Sequence, residues 1–343
     1  MYPRFPAPLF KENPPHGAVS GAAAVGADFS SRLNAMKNDR FLTVLTPTFN
    51  RAHLLPRVHQ SLIDQTEKAF EWIIVDDGST DGTQSLVERW IEDSPFPVSY
   101  VWQENRGKHA AVNHGVQLAK GELILILDSD DWLVPNAIER IRYWWQSIPV
   151  GERTRYAGVA GLCALPSGTI VGTRFPKDVL DSDSIEIRVR YKVKGDKCEV
   201  WRKDVLQRFP FPEDLGRFVT EALVWNRIAH HYKLRFVNEV WMIKEYQEEG
   251  LTARSLALRA SSPHAARLYY KEFAESNRSD IPTLRRLREY ANYIRFSLHG
   301  NVSLVCQAGD VKYKALWALA APVGVMLYLR DRSRLRKRGA PKA

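Results

Sequence analysis

Five consecutive apolar residues, Leu123-Ile-Leu-Ile-Leu127, run straight into Asp128-Ser-Asp-Asp131, and no other feature constrains the fold as tightly. A strand that is apolar at every position is buried on both faces, as a central strand of a parallel sheet is. Three segments before it have the same character: Phe41-Leu-Thr-Val-Leu-Thr46, Glu71-Trp-Ile-Ile-Val75 and Val98–Trp102. Helical patterns separate them. One surrounds Leu54, Leu55, Val58 and Leu62, the next covers Thr83–Glu92, and the third runs from Lys108 to Ala119. Short strands alternating with helices predict βαβ units, hence an α/β fold with a mostly parallel sheet flanked by helices.

The remainder of the chain has a different texture. Met1 to Asp39 is Pro-rich and then Ala/Gly-rich, without a period, and is expected to be a disordered leader; it lacks the charged start of a secretory signal. Residues 40–250 are expected to form the sheet domain, with added antiparallel strands over 156–201. A helical, basic extension follows over 251–314, and an apolar segment with a basic tail over 315–343. At 45% hydrophobic and 26% charged, the composition is that of a globular protein. Cys163, Cys198 and Cys306 have neither zinc-site nor disulfide-framework spacing, and all three read as buried apolar thiols in a reducing compartment.

The net charge of +10 is concentrated at one end, where Arg330–Ala343 holds seven Lys or Arg against Asp331 alone. The partner implied is therefore a partner of the C-terminus. Ala315–Leu329 precedes this tail as fifteen uncharged residues. As a helix it would reach roughly 22 Å, short of the ~30 Å hydrocarbon core. Pro322 and Gly324 are expected to interrupt it. An interfacial or re-entrant segment on an anionic membrane surface is predicted, placing the protein in the cytoplasm, peripheral on the inner face of the cell membrane. Nucleic acid is not an expected partner, because the tail has no interleaved aromatics.

In an open parallel sheet, ligands bind beyond the carboxyl ends of the strands. Here those ends carry Thr46-Pro-Thr-Phe-Asn-Arg51, Asp76-Asp-Gly-Ser-Thr-Asp-Gly82, Asn105-Arg-Gly-Lys-His109 and Asp128-Ser-Asp-Asp131. Asp128 and Asp130, two apart, can both reach one hard divalent cation such as Mn2+ or Mg2+. Alternatively, Asp130 or Asp131 caps the next helix and Asp128 makes an Asx-turn. Asp76 and Asp77 form either a plain strand-to-helix turn or an acceptor for a base or ribose. Lys108 opens a helix where a diphosphate would meet its charge and the helix dipole. His109, His114, His230 and His231 have no metal-ligand context. The chain lacks GxGxxG, GxxxxGK[ST] and GxSxG motifs.

In their order and spacing these four loops resemble those of family 2 glycosyltransferases of the GT-A fold, over residues 41–240. The resemblance implies a Rossmann-like GT-A domain, a nucleotide-diphosphate sugar donor, most often a UDP-sugar, and a divalent metal. It implies nucleotide-sugar contacts from Thr46, Pro47, Thr48, Asn50, Arg51, Asp76, Asp77, Gly107, Lys108, Asp128 and Ser129, and metal ligation by Asp128 and Asp130. Counting back from Leu223, Trp225 and Arg227 assigns the base that deprotonates the acceptor to Glu221, preceded by Thr220 where the family usually has an acid. Glu213-Asp214 is the competing pair. The activity implied is inverting, metal-dependent transfer to a hydroxyl acceptor, such as a lipid-linked glycan or a growing polysaccharide. A catalytically silent, membrane-associated nucleotide-sugar-binding protein is the alternative.

Overall fold

The sheet grows outward from β1 (Leu42–Thr48), whose seven residues are all buried. The computed structural model describes residues 41–246 and 255–337, so the expected leader and the end of the basic tail lie outside the described residues. After β1 come α1 (Leu55–Ile63), β2 (Phe70–Asp76), α2 (Thr83–Asp93), β3 (Val98–Trp102), α3 (Lys108–Leu118) and β4 (Leu123–Ile126). β2 and β4 both pair with β1 in parallel, and β3 pairs with β2, giving the order β3-β2-β1-β4. Parallel pairing brings all four carboxyl ends, with their polar loops, to one edge.

The chain continues through β5 (Asp131–Leu133), α4 (Ala137–Gln146), β6 (Tyr156–Ala164), β7 (Val179–Ser182), α5 (Glu186–Val189), β8 (Lys197–Arg202), α6 (Lys203–Arg208), α7 (Ala222–Ala229) and β9 (Lys233–Lys244). β8 lies antiparallel between β4 and β6, and β7 is antiparallel to β9, as expected. β6 is different: it runs parallel to β9, with register shifts along the pair. Together these strands make a nine-stranded mixed sheet among the described residues.

Each face of the sheet carries its own apolar layer. Leu55, Val58 and Leu62 of α1, Val87 of α2 and Ile138 and Ile141 of α4 cover one face. Ala111, Val112 and Val116 of α3, Val205 of α6 and Leu223, Val224 and Ile228 of α7 cover the other. Two-sided cover explains why β1, β2 and β4 read as apolar runs instead of alternating.

The C-terminal part is helical, as expected: α8 (Ser255–Ser261), α9 (Pro263–Glu275), α10 (Thr283–His299), α11 (Leu304–Asp310) and α12 (Lys314–Lys337). Ala265 of α9 enters the sheet's second apolar layer, while Tyr290, Tyr293 and Ile294 of α10 build a third core with α12. The expected interruption at Pro322 and Gly324 does not occur, and α12 is continuous. Pro322 faces solvent. Gly324 lies against α10 so closely that a Cβ would stand 2.7 Å from the Ile294 Cβ. The glycine is a contact point between helices, not a break. Asp331, fully buried, ties α12 to Arg295 Nη2 at 2.8 Å. Cys306 also departs from expectation: Cys163 and Cys198 are buried, but Cys306 is exposed on short α11, beside exposed Leu304 and Val305.

Candidate active site

The first three loops are bound to one another by backbone-directed hydrogen bonds. Asn50 sits at φ 52°, a region asparagine tolerates. Its N–H donates to Ser79 Oγ (2.8 Å), and its Oδ1 accepts from the Thr80 N–H (2.8 Å). Asp76 Oδ1 accepts from the Ser79 N–H at 2.7 Å, and Oδ2 from the Tyr100 hydroxyl at 2.8 Å. Asp77 joins the second loop to the third. Its Oδ1 takes Gln103 Nε2 and the Arg106 N–H, and its Oδ2 the Gly107 N–H at 2.8 Å. Gly107 itself has φ 97°, and a Cβ there would stand 2.2 Å from the Arg217 carbonyl oxygen. Only glycine lets the third loop pass under the 217 segment.

Two cavities open above this edge. The smaller, about 380 Å3, is lined by Pro47, Thr48, Arg51, Asp77, Gly107, Lys108, Asp128, Ser129 and Asp130 from the expected set. Thr48 is buried, and its Oγ1 has no partner among the described residues. Thr46, Asn50 and Asp76 lie outside the lining. Thr46 is fully buried and accepts from Trp72 Nε1 at 2.9 Å; like Asp76 and Asn50, it holds the scaffold beneath. The larger cavity, about 550 Å3, is lined by Glu221, Glu199, Trp201 and Trp225, and it shares Lys108, Asp128, Asp131, Arg217 and Lys244 with the first.

Where the cavities meet, charges are dense. Lys108 Nζ lies 2.5 Å from Asp128 Oδ1 and 2.8 Å from Glu221 Oε1. Burial opposes its charge, but Asp128 and Glu221 outweigh burial and hold the ammonium above the usual lysine range. Burial would raise Asp128, yet Lys108 and Lys244 keep its carboxyl below the usual range. Asp130 shifts the other way, raised by burial and then by the Asp128 charge. Asp131 is pushed up to about 7 by burial, against the pull of Lys244 at 2.6 Å. Carboxylate oxygens of Asp128, Asp130 and Asp131 lie within 4.8 Å of one another. Three hard oxygen donors this close suit Mg2+ or Mn2+.

Glu221 occupies the N-cap position of α7, with its side chain at the joint of the two cavities. Glu213 is engaged elsewhere, with Arg106 Nη1 at 2.9 Å and Asn113 Nδ2 at 2.8 Å. Neither Glu213 nor Asp214 lines either cavity. His109 is buried against the larger cavity, both ring nitrogens unpartnered among the described residues, and its pKa is lowered by burial. Sequence reading did not single out Lys244, Arg217 or Glu199. Lys244 reaches the site because β5–β9 pairing sets it opposite Asp131, across 113 residues of chain. Its one signal was a lysine closing the apolar run Val240-Trp-Met-Ile243.

With this geometry in view, residues 43–186 match the family model described as glycosyl transferase family 2. The chain is a glycosyltransferase, similar to family 2 over residues 43–186. The enzyme is 28% identical over 242 residues to the GalNAc(5)-diNAcBac-PP-undecaprenol beta-1,3-glucosyltransferase of Campylobacter jejuni, covering 68% of this chain and 73% of that one. Its fold is also that of S. aureus TarS 1-349 in complex with UDP-GlcNAc (TM-score 0.55, 16% identity, 86% and 91% of the two chains). The mannosyltransferase PcManGT of Pyrobaculum calidifontis, in complex with GDP-Man and Mn2+, has it too (TM-score 0.52, 20% identity, 91% of each chain). These solved structures establish the GT-A architecture of the enzyme.

Proposed function

We propose that the enzyme moves a sugar from a nucleotide-diphosphate donor, in the first instance a UDP-sugar, to a hydroxyl acceptor with inversion. One observation carries this reading: the Asp128–Asp130–Asp131 cluster and Glu221 face each other across Lys108, where the two cavities join. The smaller cavity suits the nucleotide, with buried Thr48 Oγ1 as a free partner for a base and Arg51, Lys108 and Arg217 around the diphosphate. Asp128, Asp130 and Asp131 would hold Mn2+ or Mg2+, which supplies Lewis-acid neutralisation of charge on leaving phosphate oxygens. Lys108 Nζ, 2.8 Å from Glu221 Oε1, orients the Glu221 carboxylate. A donor diphosphate competes for the same ammonium, leaving Glu221 free to take the acceptor hydroxyl's proton. One base and no covalent intermediate produce inversion. The lipid-linked acceptor in the Campylobacter relative's name supports a lipid-linked acceptor here.

Thermal shift with nucleotides and nucleotide sugars in Mn2+ tests the donor reading. A preferred nucleotide sugar should raise the melting midpoint by mass action, about 2.7 kcal/mol of stability at a hundredfold excess over Kd. EDTA should cancel the shift, and no shift with any member of the panel would remove the reading.

The same reading holds the enzyme at an anionic membrane surface, on α12. Leu319, Val323, Met326 and Leu329 are 70%, 47%, 58% and 57% exposed, spaced along one face of the helix. Arg330, Arg332, Arg334 and Arg336 follow them, also exposed. Among the described residues, no helix is long and apolar enough to cross a membrane. Truncation before α12 would uncover its third-core contacts, so substitution is the cleaner test. The triple variant Leu319→Glu, Val323→Glu, Met326→Glu should melt like wild type and lose salt-sensitive co-sedimentation with phosphatidylglycerol vesicles. Unchanged co-sedimentation would contradict the membrane role.

A further inference from the structure

Glu199 lines the larger cavity, and beyond its own backbone N–H its carboxylate has no partner among the described residues. β8 pairs with β4 so that Val200 faces Leu125 and Trp201 faces Ile124. The pleat sends Cys198 and Val200 into one core and Trp201 into the other. Glu199 shares the Trp201 face and lines the cavity that holds Glu221. No ion pair or side-chain hydrogen bond reaches its carboxylate among the described residues. Two cations whose charge acts on it are committed elsewhere: Lys197 Nζ donates to the Val171, Lys194 and Asp196 carbonyls, and Arg188 Nη1 to those of Val193 and Gly195.

Such a group is costly to desolvate unless something donates to it. Burial, resisted by Arg188 and aided by Glu221 and Asp196, pushes the Glu199 carboxyl up to about 7. The metal-type cluster at Asp128, Asp130 and Asp131 does not include it. Beside it stand the indoles of Trp201 and Trp225, stacked at 4.3 Å. A cavity with apolar indole walls and an unpaired carboxylate complements a ring with C–H faces and hydroxyl edges, which is a pyranose.

We infer that Glu199 is a specificity-determining residue that accepts hydrogen bonds from hydroxyls of the pyranose in the larger cavity. The inference rests on the glycosyl-transfer reading and adds to it the residue that distinguishes one sugar from another. The pyranose belongs to the donor or to the acceptor, and the test separates these.

The experiment compares full-length wild type, Glu199→Gln and Glu199→Ala, with Mn2+, by calorimetric titration of UDP, UDP-glucose, UDP-galactose, UDP-GlcNAc and GDP-mannose, followed by transfer kinetics. Both variants should keep wild-type affinity for the nucleoside diphosphate alone. Their melting midpoints should equal or exceed wild type, because an unpaired carboxyl is removed. If the donor sugar is read, affinity for the preferred nucleotide sugar falls about 10- to 100-fold in Glu199→Ala, and Glu199→Gln alters the ranking of epimers. If the acceptor is read, donor affinity holds and the acceptor KM rises by a similar factor. Unchanged donor affinity together with unchanged acceptor KM overturns the inference. So does an equal loss for nucleotide and nucleotide sugar, which marks a structural role. A wild type that binds no member of the panel removes the glycosyl-transfer reading as well.

Discussion

Asp130→Ala should abolish sugar transfer, by about 1000-fold or more, the scale of several kcal/mol of lost leaving-group stabilisation. The fold should survive the change. Among the described residues the Asp130 side chain makes no ion pair and bonds no other residue, while its backbone carbonyl accepts from Arg57 Nη2 at 2.8 Å. A carboxylate raised by burial and by a neighbouring like charge gains from a bound cation what it lacks without one. Asp128→Ala should also be severe, though by a mixed route, because it frees Lys108 to pair with Glu221 alone. EDTA should reproduce the Asp130→Ala loss in wild type, and added Mn2+ or Mg2+ should restore activity. Transfer rates and melting curves for both variants check this. A fully active Asp130→Ala enzyme, or one indifferent to EDTA, would remove the metal from the account.

Glu221→Gln should lower kcat at least about 100-fold, the ordinary scale of general-base loss, while donor and metal binding persist. The amide keeps shape and hydrogen-bonding capacity and gives up only basicity and its ion pair with Lys108. Asp214→Asn should stay near wild type, since Asp214 lines neither cavity and its neighbour Glu213 is held by Arg106 and Asn113. Steady-state kinetics paired with titration calorimetry separate the two effects. An active Glu221→Gln beside a dead Asp214→Asn would move the base to Asp214.

β1, β2 and β4 could be read from the chain because burial on both faces leaves few polar positions, Thr43, Thr46 and Glu71 among them, whereas β3 is partly exposed. The same alternation marks their carboxyl ends, and with them the four loops. What those loops do with their carboxylates was harder to read. Asp76 and Asp77 look like ligand groups in sequence, yet their oxygens accept from Ser79, Tyr100, Gln103, Arg106 and Gly107. Local hydrogen bonding competes with ligand binding for the same residue types, and spacing does not separate the two. Long-range pairing was out of reach for a similar reason. Lys244 meets Asp131 through the β5–β9 register, and Glu199 meets the site through β8 against β4. The apolar stretch Ala315–Leu329 carried no period to say which face packs. It is α10, with its Ile294 and Arg295, that selects one face and leaves Leu319, Val323, Met326 and Leu329 outward.

Release of nucleoside diphosphate from a panel of nucleotide sugars, by purified full-length protein with Mn2+ and a simple glycoside or lipid-linked acceptor, tests the central claim most directly. The account predicts that one donor is turned over, that turnover needs the metal, and that it falls with Asp130→Ala and with Glu221→Gln while Glu221→Gln still binds the donor. Tight donor binding with no turnover under any acceptor would contradict it, and would make the chain a nucleotide-sugar-binding protein without transferase chemistry.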